Sequence, residues 1–218
     1  MRKHFAEELD DLKEHLLYMG GLVETSLHRG VHAFLERNTA LAESVLKETE
    51  PEINRLQVEL DQEVLRLLAL QQPMAVDLRF LAAVLKITND LERIGDLAVN
   101  IVQAAMRPHE LAPAIIDLPR MAERTQFMVH AALDSLVSRD AQLARQVLIT
   151  DDEVDRIRDQ IFRELIQHMT REPQAIELAL SLLFVARNLE RISDHATNIA
   201  EDVIFWVEGV DVRHHLQP

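Results

Sequence analysis

The feature that most limits what this chain can fold into is an internal repeat. LERIGDLAVNI at 91–101 returns as LERISDHATNI at 189–199, with 8 identities in 11 positions at an offset of 98. Common residues each occur at well under ~10%, so chance supplies about one match in such a window. A fainter pair precedes it. Glu52-Ile53-Asn54-Arg55-Leu56 answers Glu153-Val154-Asp155-Arg156-Ile157 at an offset of 101, and QQP at 71–73 answers REP at 171–173 at an offset of 100. The order of features repeats, so one folding unit is made twice. The stretch 107–119, carrying Pro108, Pro113 and Pro119, is the joint, which gives a first domain at 1–108 and a second at 109–218.

Each unit is expected to be helical. The chain has only 5 glycines in 218 residues and is rich in Leu, Ala, Glu, Arg and Gln, all strong helix formers apart from glycine. Stops fall at 36–40, where Thr39 is the expected N-cap, at 71–73, at 107–119, at 138–140 and at 171–173. They leave six long helical segments, three per half, and Pro51 marks a restart inside the second. In the third segment Val84, Ile87, Leu91, Ile94, Ala98, Ile101 and Ala105 recur at alternating three and four. The sixth repeats this from Leu182 through Val185, Leu189, Ile192, Ala196, Ile199 and Val203 to Trp206. That spacing makes a left-handed bundle seam. Val58, Leu60, Val64, Leu67 and Leu68 are the expected share of the second helix. The fold class is all-α, two tandem antiparallel three-helix bundles with one apolar stripe per helix.

Charge and composition remove several functions. With 23 basic against 37 acidic residues the formal charge is -14, which argues against nucleic acid and for cations or a basic partner. There is no cysteine, so thiolate metal sites, disulfides and Cys nucleophiles are out, and a reducing compartment such as the cytoplasm is the expected location. The opening MRKHFAEELDDLKEH turns acidic too early for a signal peptide. The longest apolar stretch, 178–186, is far too short to insert in a membrane. No phosphate loop, nucleophile elbow or kinase signature is present.

The repeated polar letters carry the chemical signal. On a helical wheel Asp96 lies roughly opposite the core stripe with Glu92 on its flank, and the second copy places Glu190 and Asp194 alike, with His195 beside them. The preceding helix of each half carries Glu50 and Asn54, or Asp151 and Asp155. Residues at i and i+4 share a face, so two pairs on adjacent helices offer up to four oxygens to a hard cation. No Glu-x-x-His occurs, unlike buried di-iron bundles. Read blandly, these are surface charge lattices worth a few tenths of a kcal/mol per pair. Their recurrence in both halves makes the two readings about equally strong. His28 and His32 have metal spacing but no Glu of H-E-x-x-H and no third ligand, and read as ordinary surface residues, as does the terminal His214-His215. Asp77-Leu78-Arg79-Phe80 reads as a lock on the start of the third helix.

MGG at 19–21, QQP with DLR at 77–79, the doubled LERIxD and GVDVRH at 209–214 together resemble the PhoU family of phosphate-uptake regulators, over almost the whole chain. The resemblance implies cytoplasmic, often dimeric proteins that are not enzymes. They bind metal clusters through paired acidic motifs on the bundle surface, with iron first and Mg, Mn or Zn as alternatives. They act as negative regulators of the phosphate-starvation response, linking the ATPase subunit of the phosphate ABC importer to its sensor histidine kinase. Carried over by position, the second-half metal site is Asp151, Asp155, Glu190 and Asp194. The first is Glu50, Asn54, Glu92 and Asp96, where Asn54 replaces the expected acid. Two rivals remain: a hydrolase that activates water on these metal sites, which a convex helical face disfavours, and a metal-free helical scaffold.

Overall fold

The punctuation read from the sequence falls at helix ends. The computed structural model describes residues 2–107 and 116–213. Helix α1 (Arg2–Glu36) is followed by α2 (Thr39–Ser44), a π-helical turn (Val45–Thr49) and α3 (Glu50–Gln71), which continue one another, and α4 (Val76–Ala105) closes the first half. The second half holds α5 (Leu118–Ser138), α6 (Ala141–Arg171), a 3-10 turn (Pro173–Ala175) and α7 (Ile176–Glu208). With α2, the π turn and α3 taken as one rod, each half is a three-helix bundle. Part of the expected joint, 108–115, and the terminal histidine pair lie outside the described residues.

The two halves begin their second rod in the same way. Arg37 and Arg139 take left-handed conformations, with φ of 59° and 55°, and the next residue caps the following helix. The first cap is Asn38 and not Thr39: the Asn38 carboxamide oxygen accepts from the Leu41 N–H at 3.2 Å. Asp140 accepts from the N–H groups of Gln142 and Leu143 at 2.8 and 3.1 Å. Such a cap contributes about 1 kcal/mol. Beyond it the rods differ. Pro51 has no N–H to bond the carbonyl four residues back, and the chain widens into a π turn in which the Glu50 N–H bonds the Val45 carbonyl. The equivalent of Pro51 is Asp152, and α6 runs unbroken for 31 residues.

The seam residues of α4, from Val84 to Ala105, and of α7, from Leu182 to Trp206, are all buried. In α3 Leu60, Val64 and Leu67 are buried and Leu68 packs against the core, but Val58 is 53% exposed and takes no part. One stripe per helix is also too few. Helices α4 and α7 pack along each other as the spine of the molecule, each with its own bundle on the other side. Leu97, Val99 and Ala104 on α4, and Ala186, Ala200 and Ile204 on α7, are buried beyond the seam. Small residues scattered among polar ones leave little periodic signal, which is why this second face was not read.

Polar ties fix how the halves sit. Lys86 Nζ donates to Asp202 at 2.7 Å, and Asp90 accepts from Asn198 at 3.2 Å while its carboxylate lies 2.7 Å from His195 Nδ1. On the other side α1 crosses α5 so closely that a Cβ on Gly20 would lie 2.8 Å from Leu133 Cδ2. Asp77-Leu78-Arg79-Phe80 does not lock its own helix start. Arg79 Nε donates to the Trp206 carbonyl at 3.2 Å, near the end of α7, and the Phe80 and Trp206 rings meet at 4.8 Å. The motif therefore ties the first half to the second, with about 0.5–1.5 kcal/mol from the ring pair beyond its buried area. Gly209, at φ 74°, closes α7 through its N–H to the Phe205 carbonyl, a position where a Cβ would be strained.

Candidate metal centre

In the second half the buried residues Val154 and Ile157 of α6, and Leu189 and Ile192 of α7, face the core. Their neighbours Asp151, Asp155, Glu190 and Asp194 are thereby left along the junction of the two helices. Asp194 is in electrostatic reach of Asp151, Asp155 and Glu190. Burial pushes the Asp151 carboxyl up to about 6, with Asp194 and then Asp155 adding to the rise, while a hydrogen bond from Ser193 opposes it. Asp194 is also raised, by burial first and then by Glu190 and Asp155, with His195 and Arg158 opposing. Asp194 is solvent-exposed, as the wheel implies, while Asp151, Asp155 and Glu190 are partly buried, so repulsion among them is stronger than in open water.

One cation answers that repulsion. Arg158 Nη1 donates to Glu190 Oε1 at 2.8 Å, and its Nη2 lies 3.0 Å from Asp159 and 3.4 Å from Asp155. Sequence reading missed this residue. The signal was there at offset 101: where Asn54 becomes Asp155, Gln57 becomes Arg158, an acid and its counter-charge gained together. His195, expected beside the acids as a nitrogen donor, has its Nδ1 2.7 Å from Asp90 on α4, so Nε2 is the nitrogen it can offer.

The first half is assembled less completely. Burial raises Glu92, and Asp96 adds to the rise by charge and by hydrogen bond, so this i,i+4 pair does share a face. Arg93 lies 3.6 Å from Glu92 and 3.8 Å from Asp96. Ile53 packs near Gly95, where a Cβ would meet it at 3.4 Å, and so sets the first turns of α3 beside the pair. Yet among the described residues neither Glu50 nor Asn54 makes a side-chain hydrogen bond or ion pair. The structure brings Glu92 and Asp96 together, with the first turns of α3 beside them.

As a donor set the second quartet fits a hard cation: four carboxylates, partly desolvated, with one arginine for compensation. Among the described residues no group of three or more His, Asp or Glu side chains is already arranged to hold an ion. Either quartet would have to draw in around one.

Tandem three-helix bundles with acids at equivalent inter-helix junctions define a class of two-domain helical proteins. The PhoU domain model matches this chain twice, at residues 16–105 and 118–203. A PhoU homolog of Pseudomonas aeruginosa, described as a phosphate-specific transport system accessory protein, is 40% identical over 215 residues, covering 97% of this chain and 88% of that protein. The Escherichia coli protein of that description is 32% identical over 212 residues, covering 96% and 88%. The crystal structure of PhoU from Pseudomonas aeruginosa superposes with a TM-score of 0.90 at 39% identity, covering 94% of this chain and all of that one. The phosphate transport system regulatory protein PhoU from Streptococcus pneumoniae gives 0.88 at 27% identity, covering 95% and 99%. The chain belongs to the PhoU family.

Proposed function

We propose that this protein is a non-enzymatic accessory regulator of phosphate-specific transport. It works in the cytoplasm as a homodimer, joins the ATPase subunit of the phosphate importer to the sensor histidine kinase, and keeps kinase output low while phosphate is plentiful. The observation that carries this reading is the full-length likeness, in both repeats, to proteins described as phosphate transport accessory proteins. Consistent with a cytoplasmic site, no described helix is long and apolar enough to cross a membrane. Deleting the gene is expected to leave phosphate-starvation genes switched on in phosphate-rich medium. Normal shut-off in the deletion strain would remove the reading.

The second-half acids are the proposed resident cation site, with iron as the first candidate. A bound cation there would supply charge neutralisation, drawing Asp151, Asp155, Glu190 and Asp194 together and fixing α6 against α7 in the form that partners meet. Without a bound cation, Arg158 offsets part of their charge. The first quartet, short of one acid at Asn54, is the weaker site. Elemental analysis of protein purified without chelator tests this: metal is expected in the wild type and lost in Asp155→Asn/Asp194→Asn.

A further inference from the structure

The acid quartets take up neither the histidines of α1 nor the cleft beside them. Along α1 the residues Glu24, His28, His32 and Glu36 follow one another at i,i+4 and so form one ladder on one face. The His28 and His32 rings lie 4.4 Å apart between centres. Two imidazoles that bind one ion through nitrogens at roughly 2.0–2.1 Å, at a right or tetrahedral angle, have ring centres roughly 4.5–5.2 Å apart. The pair is already close to that separation.

The ladder's two ends act differently. Glu36 Oε1 lies 2.7 Å from His32 Nδ1. A carboxylate only accepts, so Nδ1 carries the proton and Nε2 presents its lone pair, the arrangement that orients metal-binding histidines. At the other end Glu24 lies 2.7 Å from His130 Nδ1 across on α5, so it is spoken for. His28 lines a cleft of about 550 Å³ between α1 and α5, with Glu123, Gln126 and the exposed Phe127 on the far wall. Solvent can therefore reach any ion held there.

We propose that His28 and His32 form a second kind of metal site, selective for nitrogen-seeking divalent ions of the Zn2+, Ni2+ and Cu2+ group, at the edge of the α1–α5 cleft with water filling the remaining positions. It is chemically separate from the oxygen quartets, which suit hard cations, and stands independently of any role in phosphate transport. Glu36 is a positioning residue that acts through His32.

Copper(II) added at one equivalent to the full chain, read by electron paramagnetic resonance, provides the test. Two coupled imidazole nitrogens per copper are expected in the wild type and in Asp155→Asn/Asp194→Asn. His28→Gln and His32→Gln should each leave a single imidazole and weaken binding tenfold or more, and Glu36→Gln should weaken it about tenfold with both imidazoles kept. Circular dichroism checks that each variant is folded; the two positions are solvent-accessible and glutamine is a good helix former. A wild-type spectrum with one imidazole or none, or a two-imidazole spectrum that survives both histidine substitutions, as binding at His214-His215 would give, overturns the proposal.

Discussion

The two acid junctions occupy equivalent places in a repeated fold, and four of the exchanges between them matter most. Pro51, Asn54, Gln57 and Gly95 in the first half stand where Asp152, Asp155, Arg158 and Ser193 stand in the second. These letters account for the physical differences. Pro51 forces a π turn, while Asp152 lets α6 run straight. Asn54 removes an acid and Gln57 the counter-charge that would balance it. Gly95 offers no hydroxyl, while Ser193 carries one that donates to the Glu190 carbonyl at 2.6 Å and lies near enough to Asp151 to oppose its rise. The second junction is a loaded electrostatic site, held by one arginine, and the first a partly dismantled copy. Both halves keep the packing seam, and the charged junction is where they differ.

The largest expected effect comes from removing the arginine that balances the loaded site. Arg158→Ala leaves Glu190, Asp155 and Asp159 without their shared partner, beside two carboxyls already raised, and should cost about 1–3 kcal/mol in denaturant unfolding. The first junction has instead the exposed Arg93, which touches two acids at longer range. Arg93→Ala should stay within about 0.5 kcal/mol. Equal losses in the two variants would break the comparison.

Next in size is the pH response. Asp151 moves from an ordinary 3.8 up to about 6 in the fold. A carboxyl raised by folding binds more protons folded than unfolded across that interval. Its contribution therefore lowers stability as pH rises from about 4 to about 6, and the penalty is complete above the folded value. Asp151→Asn should raise stability by roughly 1–2 kcal/mol at pH 7 and have little effect at pH 3.5. Thermal melts at the two pH values measure it. Glu92→Gln in the first half should shift stability in the same sense by a smaller amount, since fewer acids surround it.

How far these contrasts were legible in the sequence depends on what carries them. The seam was readable because Leu91, Ile94 and Ile101, and their copies at Leu189, Ile192 and Ile199, combine periodicity with repetition. The spine was not. Lys86, Asp90, Asn198 and Asp202 look like solvent-facing polar residues, and only the pairing of α4 with α7 turns them inward. Val58 matched an apolar pattern yet points outward. The candidate acid quartets depend on both levels: i,i+4 spacing puts each pair on one face, but the distance between pairs is set by helix packing, and Arg158 and the π turn before Pro51 entered only with the third dimension. His195 shows the same limit, since its neighbour in sequence is Asp194 but its partner is Asp90.

The smallest effect sharpens the comparison from the other direction. Transplanting the lost letters by Asn54→Asp/Gln57→Arg should change metal-free stability by less than about 1 kcal/mol, because acid and counter-charge arrive together on an exposed surface. The same variant should gain cation affinity at the first junction.

The central proposal is that the second junction is the stronger cation site and the first the weaker. Calorimetric titration of Mn2+ into metal-free protein tests it most directly, comparing the wild type with Asp155→Asn/Asp194→Asn and Glu92→Gln/Asp96→Asn. The tighter binding event should vanish in the first double variant and persist in the second. Its survival in Asp155→Asn/Asp194→Asn, or its loss in Glu92→Gln/Asp96→Asn alone, would contradict the account.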